Sequence, residues 1–221
     1  MKLRGPNAGA RASGSAREDG YTLVALLAVM TMIALFAMAA APAIRQQAQR
    51  EREIEAIFRG EEVADAIGRY YAYQVGRRNA VGDAGLPTSI DQLLEGVSVG
   101  TKKVQVLRAS AARDPLSETG EWTLVRPRSS RLADFTRSIM LFADNVRPVT
   151  HNPQLKQAER DMAPVVLPTL GLASSGSASG GLDSSSSGPF IGVTPSSNRN
   201  SIINYYGIEH HNEWVFTPLF R

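Results

Sequence analysis

Residues 21 to 44 read YTLVALLAVMTMIALFAMAAAPAI, twenty-four consecutive positions without a formal charge. As a helix this run reaches about 36 Å, enough to cross the hydrocarbon core of a bilayer. A core helix buried in a soluble domain is the alternative, but helices of that kind keep a polar stripe unless they are buried all round. Lys2, Arg4, Arg11 and Arg17 precede the run, against Glu18 and Asp19. Basic flanks of this kind hold the N-terminus in the cytoplasm, and acidic residues count little in orientation. The segment therefore predicts a single-pass membrane helix with a cytoplasmic N-terminus and the rest of the chain on the other side of the membrane.

Composition narrows what can follow. In a chain of 221 residues, 43% are hydrophobic and 20% charged, which suits one folded domain with appendages. Cysteine is absent, so disulfides, thiolate metal sites and a cysteine nucleophile are excluded. The net charge of +3 is too small to argue for a nucleic-acid partner.

The leader has two readings. Ala39-Ala40-Ala41 offers a small-residue cleavage pattern, so residues 1–41 could be a secretory signal, although the apolar run exceeds the usual signal length and Pro42 follows at once. Alternatively the chain is cut after Gly20 and keeps the whole helix. Gly20-Tyr21-Thr22-Leu23-Val24 favours the second reading.

In those residues the sequence resembles the type IV pilin and pseudopilin superfamily, in particular pseudopilins of type II secretion systems. There a basic leader ends in Gly, followed by an aromatic residue, Thr, Leu and a long apolar helix. Pro42 falls where the family carries a helix-kinking proline. Leu86-Pro87-Thr88-Ser89 with Leu93-Leu94, Asp114-Pro115 leading to Gly120-Glu121-Trp122, and Tyr205-Tyr206-Gly207 to Asn212-Glu213-Trp214-Val215-Phe216 match further along. The resemblance implies cleavage between Gly20 and Tyr21 by a prepilin peptidase and N-methylation of Tyr21. It also implies insertion into a periplasmic fibre with other pseudopilins, driven by an inner-membrane assembly platform and its ATPase. One departure stands out: Ala25 occupies the place of the family's usual Glu, which fits a minor or tip-like subunit better than a major one.

Beyond the span, residues 45–74 read as an amphipathic continuation of the helix. Ile54, Ile57, Phe58, Ala64, Ile67 and Tyr71 recur at three- and four-residue steps, and Glu55 with Arg59 and Asp65 with Arg69 are spaced for ion pairs. The charges read as a solvated face or as pairing between subunits. Residues 75–87 read as a loop, 88–94 as a short helix, 103–107 and 121–125 as strands, and 135–145 as strand or helix. Residues 146–168, with four prolines, read as irregular. The Ser/Gly-rich stretch 174–188 reads as a flexible loop. Phe190–Val193, Ser201–Tyr206 and Glu213–Phe216 complete an antiparallel sheet with residues 121–125. The expected fold is α+β: a long N-terminal membrane-spanning helix packed on a small antiparallel sheet, with a leader over 1–20 and a periplasmic region over 75–221.

Catalytic patterns do not stand out. His210 and His211 are adjacent and point apart in a strand, so even with Glu209 and Glu213 they read as surface residues. Glu61, Glu62 and Asp65 suit ion pairing, and no nucleotide-binding or nucleophile motif is present. Trp122 and Trp214 read as core anchors. Calcium is the one ligand implied by the resemblance, at Asp114 with Glu118 and Glu121 nearby; the alternative is a turn in which Asp114 caps the backbone before Pro115. The leading expectation is a structural pseudopilin-like subunit, not an enzyme. An exported periplasmic binding protein freed of residues 1–41 is the alternative, and a membrane-anchored enzyme comes third.

Overall fold

The computed structural model describes residues 15–146, 150, 153–162 and 188–220. The chain forms two compact units, residues 1–47 and 48–221. The first helix, α1 (Ser15–Arg78), supplies the described part of the first unit and the opening helix of the second. It begins before Tyr21, where the sequence Ser-Ala-Arg-Glu-Asp suits a helix start with acidic residues in its first turn. It runs without interruption through Pro42 and past the expected end at residue 74. Asn79, in the left-handed conformation at φ 50°, stops it.

In the second unit α1 buries Ala56, Val63, Ala64, Ala66, Ile67 and Tyr71, and it buries Glu53 as well. Ile54 and Phe58, expected on the apolar stripe, lie exposed instead. Gly60 explains where the face turns. A Cβ there would stand 2.2 Å from the ring of Phe216, so the glycine lets the C-terminal segment close onto the helix. The core continues through Trp214, Phe190, Ile191, Leu93, Leu107 and Leu132. Trp122 meets Phe216 edge-on at 5.9 Å and donates from its indole nitrogen to the Ala111 carbonyl at 3.0 Å. Both tryptophans therefore anchor the core, as their sequence positions suggested.

After a 3₁₀ turn at Gly82–Gly85 comes α2 (Ile90–Glu95), whose entry is tied by an exchange of bonds between Thr88 and Gln92 at 3.0 and 2.7 Å. Strands β1 (Val97–Val99) and β2 (Lys102–Val104) form one antiparallel hairpin. β3 (Thr123–Val125) pairs antiparallel with β4 (Gly192–Thr194), Leu124 opposite Val193. Between them lies α3 (Ser130–Phe142), resolving the ambiguity over 135–145. The Ser129 hydroxyl caps it, and Leu132, Phe135, Thr136 and Ile139 form its buried face. α4 (Pro153–Met162) replaces the irregular chain expected there: Pro153 at the first position is pre-set for a helix, and Leu155 and Ala158 give it a buried side. The expected Ser/Gly loop, save Gly188, lies outside the described residues.

β5 (Asn200–Tyr205) and β6 (Ile208–His210) make a third hairpin, closed by Tyr206 and Gly207 at φ 53° and 78°, the two left-handed residues that a tight hairpin turn needs. The fold is α+β as expected, but the single sheet is not found among the described residues. There are three two-stranded pieces, and Glu213–Phe216 contributes only a bridge from Phe216 to Val193. His211–Glu213 wind into a 3₁₀ turn, so the segment meets β4 only at Phe216, and Trp214, Val215 and Phe216 are all buried.

Candidate functional site

Two features of this chain call for a functional explanation. The first is the apolar half of α1. Every residue from Gly20 to Met38 is exposed, Tyr21 at 77% and Phe36 at 74%. A helix apolar on all sides has no amphipathic solution in water and needs an apolar medium or apolar neighbours. Even its hydroxyl at Thr31 turns back to the Ala28 carbonyl at 2.8 Å, which hides the polar group against the backbone. Among the described residues this is the one helix long and apolar enough to cross a membrane. Gly20 and Tyr21 lie within it, with open space where a Cβ on Gly20 would stand. Ala25 lies five residues on from Gly20 in the same exposed stretch. Pro42 is inside the helix too and brings no N–H for the carbonyl one turn back.

The second is a buried carboxylate at the start of the second unit. Glu53 is fully buried and accepts from the backbone N–H of Ile202 at 2.9 and 3.0 Å and of Ile203 at 2.8 Å. Gln49 Nε2 donates to it at 2.8 Å, and His211 Nε2 stands 2.9 Å away. Gln49 also donates to the Asn200 carbonyl at 2.9 Å. Burial pushes the Glu53 carboxyl up, but the donors Ile202, Gln49, His211 and Ile203 outweigh it and hold the group below its ordinary value. The arrangement fastens the β5–β6 hairpin to α1. β5 leaves two N–H groups without a strand partner, and a carboxylate on the neighbouring helix takes both.

His211 is thus a correction to the sequence reading. It is 2% exposed, edge-on to Trp214 at 5.1 Å, with Nδ1 3.4 Å from the Ser197 hydroxyl. In a hydrolase a carboxylate, an imidazole and a hydroxyl in this order let the imidazole take the hydroxyl proton while the carboxylate orients it. Here the hydroxyl is beyond the 2.6–3.2 Å reach of general-base catalysis and also accepts from the Arg199 N–H at 3.4 Å. The chemistry it supports best is fastening.

Asp114 behaves as a clamp in the same way. Its two oxygens accept from Leu116 N at 2.8 Å and Ser196 N at 3.0 Å, joining the loop before β3 to the loop after β4. Burial raises its pKa above the ordinary value despite these bonds. Glu118 and Glu121 are exposed, and no group of three metal-capable side chains occurs among the described residues. The turn reading of Asp114 accounts for the bond from Leu116, two residues on, whereas the bond from Ser196 reaches across 82 residues of chain. Glu62 pairs with Arg108 in a two-pronged bond of 2.5 and 2.7 Å, and Glu55 with Arg59 at 2.6 Å.

Sequence reasoning placed the apolar half of α1 and missed Glu53. The signal was present: positions 53, 56, 60, 63, 67, 71 and 74 form one helical stripe, occupied by small and apolar residues apart from its two ends. A carboxylate at the head of such a stripe is a candidate for burial with donors. No family model, no curated protein and no solved structure matches this chain.

Proposed function

We propose that this chain is a membrane-anchored structural subunit of a pilus-like assembly, resembling a type II secretion pseudopilin, cut between Gly20 and Tyr21. The observation that carries the reading is the wholly exposed apolar helix from residue 20 to 38, joined to a small α+β unit. Such a helix is stable in lipid and equally stable among the apolar helices of a fibre, so a subunit can pass from one to the other without exposing it to water. The single-pass anchor keeps the second unit on the periplasmic side, and other subunits, a prepilin peptidase and an inner-membrane assembly platform with its ATPase are the partners. Ala25 leaves no carboxylate within the span to meet a neighbour's terminal ammonium, which suits a tip or minor position.

Intact mass of the protein extracted from membranes tests the processing. A mature chain beginning at a methylated Tyr21 is expected, and one beginning at Ala40 or Pro42 would establish a secretory signal instead. For the minor position, Ala25→Glu should leave secretion unimproved or lower it, since an unpaired carboxylate within the span is unfavourable, by roughly 2.5–3.5 kcal/mol at a helix centre and by less toward the end where Ala25 lies. A clear gain in sheared homopolymeric fibre from that variant would point to a major subunit.

A further inference from the structure

The β5–β6 turn carries an aromatic residue where its backbone favours a small polar one. Tyr206 lies in the left-handed region at φ 53°, beside Gly207 at 78°. Asn, Asp and Gly suit the first position of such a two-residue hairpin loop, and a bulky side chain there is strained. The surroundings of the ring give that strain a use. With Phe135, Phe142, Tyr205, Phe216 and Phe220, Tyr206 walls a hollow of about 330 Å³ between α1, α3 and the hairpin. Phe142 and Tyr206 are the exposed members of the wall.

The rings are spaced to share one charge. The centroid of Tyr206 lies 4.7 Å from that of Tyr205, 5.9 Å from Phe142 and 6.3 Å from Phe135, and Phe135 lies 6.4 Å from Tyr205. A cation in their midst stands within about 6 Å of several centroids at once, the range over which a ring quadrupole attracts it. Tyr206 is nearly perpendicular to Phe135 and to Phe142, at 83° and 86°, so the rings turn corners around the space and do not stack into one layer. The formal charge of the lining has the matching sign. Glu61 of α1 contributes a carboxylate, and no lysine, arginine or histidine among the described residues lines the hollow.

Hydrogen-bonding capacity decides which cation fits. The Thr217 hydroxyl donates to the Ile191 carbonyl at 3.0 Å and accepts from the Leu219 N–H at 3.4 Å, and Glu61 is engaged within the protein. A primary ammonium would bring three N–H donors to walls with few acceptors left, whereas a fully methylated ammonium brings a charge and no donor. We propose that this hollow binds a quaternary ammonium group, of the kind choline carries, caged by Phe135, Phe142, Tyr205 and Tyr206. The strained turn is then what holds the Tyr206 ring in the cage. The site goes beyond the fibre reading and stands if that reading fails.

A saturation-transfer NMR titration tests it, on the full chain in nanodiscs of phosphatidylethanolamine and phosphatidylglycerol, lipids without a quaternary ammonium. The probes are choline and its neutral carbon isostere, dimethylbutanol, with empty nanodiscs as the control. Saturable choline binding is expected, about fivefold tighter than that of the isostere. Phe142→Leu keeps an apolar wall but removes a ring, so it should weaken choline by about fivefold and leave the isostere unchanged. Tyr206→Asn should remove the preference for choline without lowering Tm, because Asn suits this turn. Nanodiscs of phosphatidylcholine separate the two sources of the group. Loss of free-choline binding there identifies a lipid headgroup and retained binding a soluble ligand, and either result upholds the site. Equal affinity for the two probes, choline binding no greater than to empty nanodiscs, or an undiminished preference in both folded variants overturns the proposal.

Discussion

Val29 and Ile54 lie on the same helix at nearly equal exposure, 52% and 53%, yet the two positions belong to different physical problems. Around Val29 every side of the helix is apolar and exposed, so exposure there marks a surface that calls for lipid or for apolar neighbours. Around Ile54 one side is buried and headed by Glu53, and the other carries charges, so exposure there means water. Fractional exposure alone does not separate these cases. The hydropathy of the neighbouring turns does.

The sharpest break of the comparison comes from the buried side of the second half. Glu53→Ala strips the acceptor from two backbone N–H groups and from His211, and should cost about 3–5 kcal/mol. A fall in Tm of roughly 10 °C in calorimetry is the expected reading. A change of only a degree or two would mean that the hairpin is held by its other contacts. The same carboxylate sets an acid limit. Because its folded pKa lies below the ordinary 4.5, its contribution is complete above pH 4.5 and is lost as pH falls through the folded value. Asp114 has the opposite sign. Its raised pKa makes its contribution complete below 3.8 and diminishes it as pH rises through the folded value. Denaturant titrations from pH 7 to 3 should therefore show an acid limb that Glu53→Gln flattens and Asp114→Asn leaves in place.

Next in size is a paired charge insertion. Val29→Arg should cost roughly 2.5–3.5 kcal/mol of membrane insertion and deplete the protein from the membrane fraction. Ile54→Arg, at the same exposure, should change Tm by no more than about 0.5 kcal/mol allows. Equal effects at the two positions would show that the halves share one solvent. A smaller contrast lies between two glycines of the second half. Gly60→Ala forces a Cβ into the buried Phe216 ring and should destabilise by about 1–3 kcal/mol. Gly76→Ala meets nothing within 4 Å and should stabilise the helix by about 0.5–1 kcal/mol, measurable as a small rise in Tm.

These differences also mark how far the sequence could be read. The apolar half was legible because lipid is a uniform solvent: a helix in it needs only length and apolar composition, and both are local properties of residues 21–44. The α+β class, the short helix at Ile90–Glu95 and the strands at Thr123–Val125 and Asn200–Tyr205 were likewise written in local alternation and caps. What the tertiary structure decided is whatever depended on a partner distant in the chain. Glu53 becomes a fastener only because Ile202 and Ile203, 149 and 150 residues away, bring unpaired N–H groups to it. His211 is buried because the Tyr206-Gly207 turn and the 3₁₀ turn at His211–Glu213 fold it against Trp214. Phe216 bridges to Val193 while its ring closes onto α1, because Gly60 leaves room for it there. A charge beside an empty acceptor in water and a charge beside two backbone donors in a core look alike in sequence, since only the three-dimensional fold determines how much water each one loses.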